Sequence, residues 1–159
     1  FEWSPFFMNS FLRRLIFRII FFRPFTLTFD RCLVHESLGL YGERLAARYL
    51  LKQGYYLTAQ RFLDRLGEID LIAVDQDTIV FVEVKTRSRL KNGTPAESVD
   101  IKKQARIVRA AKRYLIQNHV TDCPTRFDII AIICSRPGTN AEIKHYKHAF
   151  EPRASFEIF

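Results

Sequence analysis

Leu38, Tyr41, Leu45 and Tyr49 recur at intervals of three and four, which predicts a helix from Ser37 to Lys52 with Gly54 as its stop. The pattern then changes to short extended runs. Tyr55 to Phe62 is aromatic and rich in β-formers, Leu63 to Leu66 is a connection, and Gly67 to Val74 and Thr78 to Lys85 flank the polar turn Asp75-Gln76-Asp77. A turn this short predicts an antiparallel hairpin. Thr86 to Ser98 carries Arg87, Arg89, Lys91, Asn92, Gly93 and Pro95 and reads as a mobile basic loop. Helical spacing returns in Gln104, Val108, Ala111 and Leu115, with Ile107 and Tyr114 beside them, predicting a helix from Val99 to Asn118. Arg126 to Cys134 is apolar almost throughout, so it is expected to be a central strand buried on both faces. After the turn Arg136 to Asn140, Glu142 to Phe150 reads as an edge strand. The order α-β-β-β-α-β-β predicts a mixed α/β sheet with one helix able to pack on either side.

Three charges interrupt the apolar runs. Asp70 lies in Gly67-Glu68-Ile69-Asp70-Leu71-Ile72, and Glu83 and Lys85 lie in Val80-Phe81-Val82-Glu83-Val84-Lys85-Thr86-Arg87. Alternation along a strand puts Phe81, Glu83 and Lys85 on one face and Val82 and Val84 on the other. Charges in such a setting are costly unless paired, hydrated or bound to something. Two carboxylates converging with a lysine can hold Mg²⁺ and position a water or a phosphate. The competing reading is a structural ion pair at the solvated end of a sheet, and spacing alone leaves both open. Glu43, in the first helix, has Gly39, Leu40, Ala46 and Ala47 three and four positions away and no basic partner at that spacing. Small neighbours would let the helix approach a sheet closely with the carboxylate reaching over it; a solvated surface glutamate is the alternative. Asp128 is expected to cap or to pair with Arg126, and His145 and His148, three apart on a strand, face opposite sides and are poor joint metal ligands.

Composition sharpens this picture in two places. The net charge of +8 over 159 residues favours a polyanionic partner, nucleic acid or an anionic membrane surface. Part of it is concentrated in Lys102, Arg106, Arg109 and Arg113, which form a ridge along the second helix flanked by Lys103 and Lys112, with Asp100 as the nearby acid. Such a ridge suits phosphate contact, with a solvated helix face as the alternative. Cys32, Cys123 and Cys134 are odd in number and far apart, which argues against a disulfide framework or a zinc site and fits a reducing cytoplasm. Cys134 reads as a small core residue.

Residues 1–34 differ in kind, holding nine phenylalanines and five arginines against Glu2 and Asp30. Arginine breaks each apolar run, so no transmembrane segment is expected there, and a secretory signal is disfavoured. An interfacial basic helix, a targeting peptide, or a translated upstream extension or truncated reading frame are the readings open, with Phe1 in place of an initiating Met favouring the last. The folded unit is expected over residues 35–151, with 152–159 as a tail.

Taken together, Gly39-Leu40-Tyr41-Gly42-Glu43-Arg44-Leu45-Ala46, Gly67 to Ile72, Phe81 to Arg87 and Arg126-Phe127-Asp128-Ile129 resemble, in order and spacing, the YraN-like family of small bacterial proteins within the PD-(D/E)XK nuclease superfamily. Ile69-Asp70 stands where that superfamily has Pro-Asp. The resemblance implies a restriction-endonuclease-like core, similar to that of archaeal Holliday-junction resolvases. It implies Asp70 and Glu83 as ligands of Mg²⁺ (or Mn²⁺), Lys85 as the catalytic lysine, and Glu43 as an acid approaching the metal directly or through water. The expected activity is metal-dependent hydrolysis of DNA phosphodiester bonds, with branched or damaged DNA as the finer expectation. Arg87 and the ridge would contact DNA, no small-molecule cofactor is expected, and a homodimer is admitted. The alternative is a catalytically silent nucleic-acid-binding module of the same fold; a third is an interaction protein whose acidic cluster is structural.

Overall fold

A computed structural model describes residues 37–88 and 99–152. The expectations for residues 1–34, for Cys32, for the basic loop beyond Ser88 and for the tail beyond residue 152 lie outside the described residues. Within them the chain runs α1 (Leu38–Lys52), β1 (Tyr56–Asp64), β2 (Gly67–Asp75), β3 (Thr78–Arg87), α2 (Ile101–Asn118), β4 (Thr125–Ile133) and β5 (Glu142–Tyr146). The five strands form one sheet in the order β1-β2-β3-β4-β5. Pairing is antiparallel except between β3 and β4, which α2 joins as a parallel crossover. This is the mixed α/β, restriction-endonuclease-like core.

Both helices begin where capping chemistry allows. The Ser37 hydroxyl accepts from Leu40 N–H at 3.3 Å, and the Asp100 carboxylate accepts from Lys103 N–H at 2.7 Å. Asp100, the acid nearest the ridge, is therefore the N-cap of α2. That helix ends at His119, in the left-handed region with φ 55°.

Each helix covers one face. Under α1, Ala46, Ala47 and Leu50 meet Leu71, Ala73, Val80, Val82, Ile130 and Ile132. Beneath α2, Ile107, Ala111, Tyr114 and Leu115 meet Ile72, Phe81, Phe127 and Ile129, with Phe81 stacked on Phe127 and edge-on to Tyr114. Strand β4 is covered on both faces as its apolar run predicts, although β3 holds the centre of the sheet. Strand β5 lies at the edge and is shorter than expected, ending at Tyr146.

Two glycines set the helix–sheet distances. A Cβ on Gly42 would overlap the Thr86 hydroxyl and lie 2.9 Å from Thr86 Cβ, so α1 rests directly on β3. At Gly67 a Cβ would lie 2.7 Å from the Arg106 carbonyl oxygen, bringing α2 equally close to the start of β2. Each glycine immediately precedes a glutamate, Glu43 or Glu68, and the close approach delivers those carboxylates over the same end of the sheet.

Candidate active site

Strand alternation fails at Asp70. Ile69 and Ile72, three residues apart, both belong to the core under α2, as do Ala59 and Phe62 on the neighbouring strand. Between the latter pair, Arg61 takes φ 50°, a left-handed conformation that is uncommon for a side-chain-bearing residue. Arg61 and Asp70 fall between the paired positions Gln60↔Leu71 and Phe62↔Ile69. On the other side, the ladder to β3 runs from Asp75↔Thr78 to Leu71↔Val82 and stops. Strands β2 and β3 part at that point, and Asp70 Oδ2 accepts the released Val84 N–H at 2.6 Å. The carboxylate thus plugs the gap between two strands.

Glu83 lies on β3 just beyond the last residue paired with β2 and is 3% exposed. Its Oε1 accepts from Lys85 Nζ at 2.7 Å and lies 3.3 Å from Lys103 Nζ. Its Oε2 is buried, with no hydrogen-bond partner among the described residues. Lys103 also reaches Glu68 at 3.4 Å and so bridges two acids from α2. Glu43 comes in from α1 on the other side and lies 3.7 Å from Arg61 Nε.

The electrostatics follow from this packing. Burial is the largest influence on Asp70, and the nearby Glu83 adds to it; the Val84 hydrogen bond opposes both, and the carboxyl is pushed up from 3.8 to about 7. Glu43 is raised as well, chiefly by burial, with Arg61 opposing and Glu68 and Glu83 reinforcing. Lys103 would be lowered by burial alone, but attraction to Glu83 and Asp70 outweighs that and holds it above its ordinary value. Four carboxylates therefore share one end of the sheet, and the local lysines do not fully compensate them.

The structure brings Glu43, Asp70, Glu83 and Lys85 together from α1, β2 and β3. Among the described residues no three His, Cys, Asp or Glu side chains gather into a ready three-ligand metal site. Two carboxylates are sufficient for Mg²⁺, which keeps several waters. A hard, oxygen-bound divalent ion such as Mg²⁺ or Mn²⁺ fits the donor set: it would satisfy Glu83 Oε2 and relieve the repulsion that raises Asp70.

Lys102, Arg106, Arg109 and Arg113 all lie on the exposed face of α2. Their charge is less isolated than the sequence of the helix suggests, because β1 places Asp64 3.7 Å from Arg113. Arg87, at the end of β3, is half-buried, and its carbonyl accepts from Cys134 N–H at 2.9 Å. Lys103 is the side chain beside the acids that the ridge pattern alone misplaces. It shares the inward stripe of Ile107, Ala110, Ala111 and Tyr114, and that spacing is the signal that identifies it.

A second charged cluster lies on the α1 face. Asp128, fully buried, takes hydrogen bonds from Arg126 Nε at 2.9 Å and His148 N–H at 3.0 Å and lies 2.8 Å from His145 Nε2. Arg126 donates onward to Tyr55 Oη and Asp75 Oδ2, each at 3.0 Å. The expected Asp128–Arg126 pair is present, and every Asp128 oxygen has a partner. Burial would raise Asp128, but hydrogen bonds from His145 and Arg126 reverse that and leave it lowered.

A family model described as "Uncharacterised protein family UPF0102" matches residues 42–132. A UPF0102 protein of Alkaliphilus oremlandii is 43% identical over 119 residues, covering 74% of this chain and all of that protein. Another from Clostridioides difficile is 40% identical over 116 residues, 73% of this chain and 98% of the relative. One from Chlorobium phaeobacteroides is 47% identical over 98 residues, 62% and 77% respectively. No helix among the described residues is long and apolar enough to cross a membrane.

Proposed function

This chain belongs to the UPF0102 (YraN-like) family, and from its geometry we propose that it is a metal-dependent nuclease hydrolysing DNA phosphodiester bonds. The observation that carries the reading is the pairing of Asp70 with a buried, incompletely partnered Glu83 where β2 and β3 part, with Lys85 beside them. A structural ion pair has no need of a second, destabilised carboxylate. Asp70 and Glu83 would hold Mg²⁺ or Mn²⁺, which supplies neutralisation of the scissile phosphate and activation of a water.

The remaining work belongs to the side chains. Lys85 has only donors to offer, so its ammonium can orient the attacking water or take up charge on a phosphate oxygen. Lys103 and Lys85 share Glu83 Oε1, which keeps Oε2 turned away from both cations. Glu43 approaches from α1 and adds a further carboxylate able to accept a hydrogen bond from a water at the site. Arg106, Arg109 and Lys102 supply the positive surface along which a duplex backbone can lie, and Arg87 adds to it at the end of β3. Water attacks phosphorus and forms a new P–O bond, giving up a proton to solvent, while the P–O bond to the departing oxygen breaks and that oxygen takes a proton from solvent.

Linear, flapped and four-way DNA incubated with the protein, with and without Mg²⁺, tests the reading. Metal-dependent cleavage that disappears in Asp70→Asn and Glu83→Gln is the expected result, with the flapped and four-way substrates cut in preference. Tight binding with no cleavage of any substrate in Mg²⁺ or Mn²⁺ would overturn it in favour of a silent binding module.

A further inference from the structure

The hairpin joining β1 to β2 exposes two leucines at its tip. Leu63 is 76% exposed and Leu66 47%. Asp64 Oδ1 accepts Leu66 N–H at 3.1 Å across the tip, and Gly67, having no Cβ, lets it lie close against the backbone of α2. Between hairpin and helix lies an open cavity of about 270 Å³, lined by these leucines, Arg65, Arg106, Lys103 and Glu68 among others. Its acids are already engaged. Asp64 is shared between Leu66 N–H and Arg113, and Glu68 is met by Lys103. Arg65 and Arg106 form no ion pair with a described carboxylate, so the cavity offers apolar surface with two uncommitted guanidiniums. Lys103 carries its inner wall directly to Glu83.

We infer that this cavity is a subsite for a single unpaired nucleotide of the bound DNA, next to the phosphate that is cut. The inference rests on the nuclease reading and adds a substrate class to it. Leu63 and Leu66 present an apolar face to an unstacked base, as apolar wedges do where proteins open a base step. Arg65 and Arg106 take the flanking phosphates. A regular duplex keeps its bases stacked and leaves the leucines in water. A nucleotide at a bulge, flap or junction is already partly unstacked, so the energy needed to place it there is least.

Binding is measured in EDTA to a duplex carrying one bulged 2-aminopurine and to the fully paired duplex of the same sequence. The protein should bind the bulged duplex about tenfold more tightly, equivalent to about 1.4 kcal/mol, with 2-aminopurine fluorescence rising on binding. The Leu63→Ser/Leu66→Ser double variant changes only exposed side chains. It should lose the preference and the fluorescence change while keeping its affinity for the paired duplex. Equal binding of both duplexes by the unmodified protein, or a preference that survives in the double variant, would overturn the subsite and leave the nuclease reading standing. No binding to either duplex together with no cleavage of any substrate would overturn both.

Discussion

Replacing Asp70 by Asn should make the metal-free protein more stable, and the gain should depend on pH. Asn retains an oxygen able to accept the Val84 N–H, which Asp70 takes at 2.6 Å. What the substitution removes is a charge that burial and Glu83 both oppose. A carboxyl raised from 3.8 to about 7 on folding binds more protons in the native state than in the unfolded chain between those limits. The native protein therefore loses stability as pH rises through that window and recovers it as pH falls. The difference corresponds to about 4 kcal/mol at full ionisation. Asp70 retains some contact with water, so a measured gain of about 2 kcal/mol or more for Asp70→Asn is expected at pH 8. At pH 4 the two proteins should agree within about 0.5 kcal/mol. Urea unfolding in EDTA reads this directly, as an upward midpoint shift of about 1–2 M at pH 8 that is absent at pH 4. Mg²⁺ should then stabilise the unmodified protein, by about 1.4 kcal/mol at ten times its Kd, and leave the variant unmoved. A variant no more stable at pH 8, or a gain independent of pH, would refute the claim that this carboxylate is held against its own electrostatics.

Three further outcomes follow from the same geometry. Lys85→Ala should lower cleavage by about two orders of magnitude while Mg²⁺ binding, read by calorimetry, persists; an active variant would return Lys85 to the role of ion-pair partner. Changing Arg106 and Arg109 together to Ala should reduce the log–log salt dependence of DNA affinity by roughly two and weaken all sequences alike, whereas an unchanged slope would make the ridge a solvated face. Asp128→Asn should have the opposite sign to Asp70→Asn, destabilising by about 2–3 kcal/mol at neutral pH because Arg126 loses its carboxylate partner. That loss should shrink as pH falls through the lowered range of Asp128, and a stabilised variant in thermal unfolding would contradict it.

Both helices and all five strands were legible because each depends on local period and on turn chemistry that the chain displays. The helix ends differ from the pattern by one or two residues for the same local reason, since Ser37 and Asp100 cap their helices. The glycine-flanked Glu43 was also readable, and the close approach of Gly42 to Thr86 is its physical basis. Other features come only with the tertiary structure. The irregularity at Arg61 has no glycine to announce it, yet it accompanies the loss of alternation that points Asp70 into the gap between β2 and β3. Lys103 reaches Glu83 across 20 residues of chain and Asp64 reaches Arg113 across nearly 50, and neither distance is visible in a helical wheel. The partners His145 and Tyr55, which complete the Asp128 cluster, come from β5 and from the turn after α1.

The two buried carboxylate groups on this one sheet show why the end near Asp70 is the candidate for chemistry. At Asp128 the sheet has solved the problem of a buried charge: Arg126, His145 and the His148 N–H supply donors to both oxygens, and the result is a carboxyl below its ordinary range. That arrangement leaves nothing for a ligand to add, so it is best understood as a tie between β4 and the edge strand. Across the sheet, two lysines converge on the same oxygen of Glu83, its other oxygen is without a donor among the described residues, and Asp70 is raised beside it. The chain holds donors enough to neutralise acids where neutralisation is useful. Leaving one pair under-compensated has a stability cost that a bound cation would remove, and that difference in compensation, rather than the presence of acids, separates the two sites.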